Sequence, residues 1–168
     1  MDDPRTIAEE DTEEMKSEDS LQAARIQLES GIKSGAGWFF FIAGLSLVNS
    51  LIILFSSWNR NFVVGLGMTR IIDSLAKGWG TPGIMVAFVL DVMIAGLFAV
   101  LGIFGRKSRL WPFISGMILY ALDALLILVL NDFLGVLFHG IVLFYLFKGA
   151  RLVSIAEKME RQSPSVKV

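Results

Sequence analysis

Four polar side chains lie within otherwise apolar stretches of the sequence, one in each stretch. They are Asn49, Asp91, Asp123 and His139. Carboxylates in an apolar setting can exchange a proton or bind a cation, and an imidazole titrates near neutral pH. Two aspartates with a histidine also offer the oxygen and nitrogen ligands that suit Zn, Mn or Fe. These residue types indicate a candidate site if the fold brings them together.

The stretches that contain these residues are long enough to be membrane-spanning helices. They cover residues 35–57, 83–104, 110–130 and 133–152. A helix rises about 1.5 Å per residue, so roughly 20 residues cross the hydrocarbon core. The chain is 54% hydrophobic, and none of the four stretches has the polar outer face that a soluble bundle needs. The sequence predicts an all-α integral membrane bundle of four transmembrane helices.

Composition excludes several other classes of protein. The chain has no cysteine, which excludes disulfides, a thiol nucleophile and thiolate metal sites. Its net charge of −1 argues against a nucleic-acid partner, because phosphate binding needs a clustered basic surface. No Gly-x-Ser-x-Gly turn occurs, so a serine hydrolase is not indicated.

The four polar residues are predicted to lie at one depth. Asn49 and Asp123 lie a few residues before the ends of their spans. Asp91 and His139 lie a similar number of residues after the starts of theirs. These separations correspond to about 9–12 Å below the outer boundary of the hydrocarbon core. An aspartate exposed to lipid costs about 2.5–3.5 kcal/mol, so we expect all four side chains to face the bundle interior or a neighbouring subunit.

Neighbouring positions add three residues to this candidate site. Tyr120 shares a helix face with Asp123, while Ser46 and Ser50 flank Asn49. The candidate binding or proton-relay residues are Asp91, Asp123, His139, Asn49, Tyr120, Ser46 and Ser50. A divalent metal is compatible with Asp91, Asp123 and His139, although no cofactor is expected.

Three functions remain open at this point. The polar residues could bind or translocate a proton, a cation or a small solute, which implies a homo-oligomer because four helices leave little room for a pathway. They could instead join the helices of a structural or accessory subunit of a membrane complex. The third alternative is an intramembrane hydrolase or a metal-dependent enzyme that uses both aspartates and the histidine.

The segments outside the spans also carry predictions. Residues 1–19 are strongly acidic and predict a disordered tail, and residues 20–34 predict a short amphipathic helix on the membrane surface. Residues 62–77 predict an interfacial helix flanked by tryptophans, or a re-entrant segment broken at Gly65 and Gly67. Residues 153–168 predict a basic tail.

Basic residues near the span ends predict the orientation. The connection between the second and third spans contains Arg106, Lys107 and Arg109, and the segment after the fourth span is also basic. An even number of spans places both termini on this side. The positive-inside rule therefore predicts cytoplasmic termini in a plasma or inner membrane, with the lipid bilayer as the main partner.

Overall fold

A computed structural model describes residues 4–55 and 66–162 of the chain. These residues form five helices and, within the described ranges, no strand. The helices are α1 (Pro4–Phe55), α2 (Gly67–Lys77), α3 (Gly80–Gly105), α4 (Leu110–Val129) and α5 (Phe133–Gln162). The predicted all-α class is confirmed.

Four of these helices are long and apolar enough to cross a membrane. The candidate spans are Glu18–Ile52, Gly80–Gly105, Leu110–Val129 and Phe133–Arg161. Large apolar side chains such as Met93, Leu125 and Phe144 are exposed on their outer faces. Because a helix with apolar residues all round is stable in lipid, the protein is a multi-pass integral membrane protein. Its orientation in the membrane stays a prediction.

The first helix differs from the predicted division of residues 1–34 into a disordered tail and a separate surface helix. α1 is continuous from Pro4 to Phe55, and so includes both segments and the first span. Its first half is rich in Glu, Ala, Leu, Met, Lys and Gln, which are strong helix formers, and Pro4 stands in the first turn, where proline is favoured. A prediction of disorder that is based on charge alone does not take this helix propensity into account.

Contacts with α5 also explain why residues 20–34 do not form a separate surface helix. Ile32 is fully buried and belongs to the same core cluster as Val153 and Ala156 of α5. Gly31 leaves the room that the Leu152 side chain occupies. α5 itself continues to Gln162, so it includes most of the predicted basic tail, and residues 163–168 lie outside the described ranges.

Close approaches at glycines fix the packing of the long helices. A Cβ atom on Gly35 of α1 would lie 2.7 Å from the Cα atom of Gly149 in α5, so the two backbones touch at this crossing. A Cβ atom on Gly116 of α4 would overlap the ring of Phe39 from α1. Small residues at such crossings are typical of helix packing in membranes, where dispersion contacts are the main attraction.

A short turn, residues 130–132, joins α4 to α5. Asn131 has a positive φ of 58°, a conformation that asparagine tolerates better than most residues. The next residue, Asp132, accepts a hydrogen bond from the backbone N–H of Gly135 at 3.0 Å and thus caps α5. The turn makes the two helices antiparallel neighbours.

The short helix α2 occupies the second part of the predicted 62–77 segment. It starts at Gly67, while residues 62–65, together with Trp58, lie outside the described ranges. Its other end meets the start of α3, where a Cβ atom on Gly83 would overlap the carbonyl oxygen of Ala76. Trp79, one of the tryptophans that flank the 62–77 segment, is exposed.

Candidate functional site

All seven candidate residues are buried, each with at most 5% of its surface exposed. They are Ser46, Asn49, Ser50, Asp91, Tyr120, Asp123 and His139. The membrane domain therefore contains a buried Asp/Asp/His group, and none of its members faces the acyl chains. Among the described contacts, Asp123 and Tyr120 contact His139, and Ser50 contacts Asp91.

Asp123 of α4 receives the first backbone N–H groups of α2. Its Oδ2 atom accepts a hydrogen bond from the N–H of Gly67 at 2.7 Å, and its Oδ1 atom accepts one from Met68 at 2.8 Å. The residue that precedes α2, Leu66, has no side chain that can cap the helix. Since the first N–H groups of a helix have no partner within it, this carboxylate supplies the cap from another helix. A negative charge there is also favoured by the helix dipole.

His139 of α5 completes the contacts of Asp123. Its Nε2 atom lies 3.0 Å from Asp123 Oδ2, and its Nδ1 atom lies 2.8 Å from the carbonyl oxygen of Gly135. A carbonyl oxygen can only accept, so Nδ1 is the donor and carries a hydrogen. The ring is therefore fixed at both nitrogens. We refer to Asp123 and His139 together as the aspartate–histidine pair.

Aromatic side chains hold the imidazole plane. The ring of Tyr120 stacks on His139 with centroids 4.2 Å apart and planes 14° apart. Phe138 meets the imidazole edge-on at 6.3 Å. Tyr120 and Asp123 are three residues apart on α4, so one helix face supplies both the hydrogen-bond partner and the stacking partner of the histidine.

Asp91 of α3 has a different partner, on α1. The hydroxyl of Ser50 donates a hydrogen bond to Asp91 Oδ2 at 2.5 Å and also lies 3.0 Å from the carbonyl oxygen of Ser46. This contact joins α1 to α3 in a buried region. Two further polar atoms on α1, Asn49 Oδ1 and Ser46 Oγ, have no hydrogen-bond partner among the residues that the structure describes.

The described side chains show no metal-ligand set, and the suggested metal site stays a prediction. Within residues 4–55 and 66–162, no group of three or more histidine, aspartate or glutamate side chains could hold a metal ion. Asp91, Asp123 and His139 are buried, but they do not form a ligand set. Similar depth was therefore not enough to give these three side chains the geometry of a ligand set, which also depends on the rotation of each helix.

Sequence reasoning missed the backbone donors of Gly67 and Met68. Every residue except proline has a backbone N–H, so nothing in residue type marks these two positions. The nearest available indication was the pair Gly65 and Gly67, which predicted a break in the 62–77 segment. Gly67 packs directly on α4, where a Cβ atom would lie 2.5 Å from Ile127 Cγ1.

No protein-family model matches the chain, and neither a curated protein nor a solved structure gives a match.

Proposed function

We propose that this is a proton-binding membrane protein in which the protonation of the aspartate–histidine pair controls the attachment of α2 to the bundle. The observation that supports this proposal is the geometry of the imidazole. Because Nδ1 donates to Gly135, the contact between His139 Nε2 and Asp123 Oδ2 requires one further hydrogen. The pair therefore binds a single proton, shared between an imidazole and a carboxylate.

Three protonation states follow from this count. With one proton the contact is a hydrogen bond in which the imidazolium donates from Nε2 to the Asp123 carboxylate. Without it, two lone pairs face each other at 3.0 Å and this hydrogen bond between α4 and α5 is lost. With a second proton, Asp123 becomes a neutral acid, so α2 loses a charged acceptor.

The direction of the pH effect follows from the α2 cap. Hydrogen bonds to a charged group contribute about 1.5–3 kcal/mol, against roughly 0.5–1.5 kcal/mol between neutral groups. Two backbone N–H groups depend on the Asp123 carboxylate, so its protonation weakens the α2 cap by about 2 kcal/mol in total. Acidification is expected to release α2, whereas removal of the shared proton leaves its cap in place.

The position of α2 supports the re-entrant alternative over the interfacial one. Asp123 is six residues before the end of α4 at Val129, which corresponds to a depth of about 9 Å. Its partners in α2 are at that level, and both Leu66 and Thr69 are buried. Backbone at such a depth is tolerated where it is buried in protein or lines a cavity. A proton-controlled segment at this position could gate movement of a proton or solute.

The single histidine of the chain allows a direct test. Protein labelled with 15N-histidine and reconstituted in lipid nanodiscs gives the NMR signals of His139 alone. We expect Nδ1 to remain protonated throughout a pH titration, while the Nε2 signal changes with pH. Asp123→Asn should shift this Nε2 response. An Nδ1 atom that loses its hydrogen would refute the proton count.

A second measurement tests the release of α2. The absence of cysteine lets spin labels be placed at Leu75→Cys in α2 and Leu125→Cys in α4, both exposed positions. We expect their distance to increase on acidification and to be insensitive to pH in the Asp123→Asn background. A distance that is constant in both proteins from about pH 8 to about pH 4 would contradict control by the pair.

A structural or accessory role is the second candidate. The observation that favours it is that the Ser50–Asp91 bond and the α2 cap both join helices of one protomer. In that case His139→Gln and Asp123→Asn would alter only the stability of the protein in detergent, and α2 would not move with pH. The predicted homo-oligomer and the hydrolase alternative stay predictions.

A further inference from the structure

We propose that a cavity between α2, α3 and α4 binds a lipid-soluble molecule that carries one hydroxyl group. This site is beside the aspartate–histidine pair, but its existence does not depend on proton binding there. The cavity has a volume of about 190 Å³. An apolar cavity of about 150 Å³ holds benzene, so there is room here for one aromatic ring or a short branched chain.

The walls of the cavity are almost entirely apolar. α3 supplies Ile94, Leu97 and Phe98, and α4 supplies Leu119, Leu122 and Leu126. Leu66 and Met68 close the side next to α2, and Asp123 is the one residue with a polar side chain among the lining residues that the structure describes. Apolar walls with a single polar group are typical of sites that bind and orient small apolar ligands.

Asp123 indicates the polar group of the ligand. An ionised carboxylate has about four acceptor positions, and Gly67, Met68 and His139 occupy three of them. A ligand hydroxyl can fill the fourth. A buried water generally needs two to four polar partners, and the described part of the wall offers Asp123 alone, so a hydroxyl attached to an apolar body fits better than water.

The opening of the cavity indicates where the ligand comes from. Three leucines of the wall are about half exposed on the outer surface of the bundle: Leu97 at 47%, Leu119 at 40% and Leu122 at 55%. They belong to helices that cross the membrane, so the gap between α3 and α4 faces acyl chains. A ligand that enters by this route has to be soluble in lipid.

The test compares 4-fluorophenol with fluorobenzene, which differ by the hydroxyl group. Binding to the full-length protein in nanodiscs is followed by fluorine NMR, and empty nanodiscs provide the correction for partition into lipid. We expect saturable binding of 4-fluorophenol, and binding of fluorobenzene at least tenfold weaker, since a hydrogen bond to a charged group is lost. Equal affinity of the two probes would overturn the role of Asp123.

A matched pair of variants tests the position of the site. Leu122→Trp fills the cavity and is expected to weaken 4-fluorophenol binding at least tenfold. Leu125→Trp is the control, because Leu125 is 58% exposed on the same helix but is not in the cavity wall. Unchanged binding in Leu122→Trp would overturn the proposal. If that variant does not fold, Leu97→Trp fills the same space from α3 and replaces it.

The same variants separate this proposal from proton binding. Leu122→Trp leaves Asp123 and His139 in place, so the pH response of the histidine NMR signal should persist while probe binding is lost. Loss of both would mean that the variant disturbs the α2 cap, and Leu97→Trp then decides whether the cavity binds the probe.

Discussion

Replacement of Asp123 by asparagine tests the anchoring of α2 with almost no change in side-chain shape. The carboxylate accepts from Gly67, Met68 and His139 through two oxygens, whereas asparagine has one oxygen and an NH2 group in place of the other. If its oxygen keeps the bond to Met68, its NH2 group faces the N–H of Gly67. Two donors then point at each other in a buried position.

The size of the effect follows from these three contacts. The unsatisfied N–H of Gly67 costs about 1–3 kcal/mol, and replacing charged by neutral hydrogen bonds at Met68 and His139 costs roughly a further 1 kcal/mol. The NH2 group can still donate to His139 Nε2, so that contact is weakened and not lost. We expect Asp123→Asn to lower the free energy of unfolding by about 2–4 kcal/mol.

The assay is equilibrium unfolding in mixed detergent micelles, followed by helical circular dichroism, together with hydrogen exchange at the Gly67 and Met68 amides. Both amides should exchange faster in the variant. Asp132→Asn is the matched control, because asparagine caps a helix as well as aspartate does and the bond to Gly135 needs only one oxygen. Stability and exchange equal to those of the wild type in Asp123→Asn would refute the anchoring argument.

Two further substitutions test the packing and the Ser50–Asp91 contact. Gly35→Ala places a Cβ atom 2.7 Å from the Gly149 backbone and should destabilise the protein by about 1–3 kcal/mol. Gly37→Ala is the control, because there is open space around Gly37 and the substitution should change stability little. Equal melting temperatures for the two variants would contradict the close crossing. Ser50→Ala removes the donor to Asp91 and should lower the free energy of unfolding by about 1.5–3 kcal/mol in the same assay. An unchanged unfolding curve would show that this hydrogen bond does not hold α1 to α3.

The spans could be predicted from the sequence because a helix that crosses lipid has to be apolar over roughly 20 residues. Residues 83–104 and 110–130 were predicted, and α3 and α4 cover Gly80–Gly105 and Leu110–Val129. A long apolar run bounded by polar residues has few structural alternatives. The N-terminal boundary of α1 was not readable in this way, since α1 extends beyond its span through helix propensity and packing against α5.

The candidate site was only partly predictable, for a geometric reason. Depth along each helix follows from residue number, so burial of the aspartates and the histidine was expected. The rotation of each helix depends on close packing, such as Phe39 against Gly116, which no single residue type reveals. This is why Asp123 lies against His139, while Asp91 lies against Ser50.

The continuity of α1 has a mechanical consequence. Pro4 is 31 residues from the crossing at Gly35, a length of about 46 Å along one unbroken helix. If α1 pivots at this crossing, a change of about 10° in its inclination displaces the acidic end sideways by roughly 8 Å. Small rearrangements among the buried helices would then produce a large displacement of the acidic N-terminal part of α1 in the aqueous compartment.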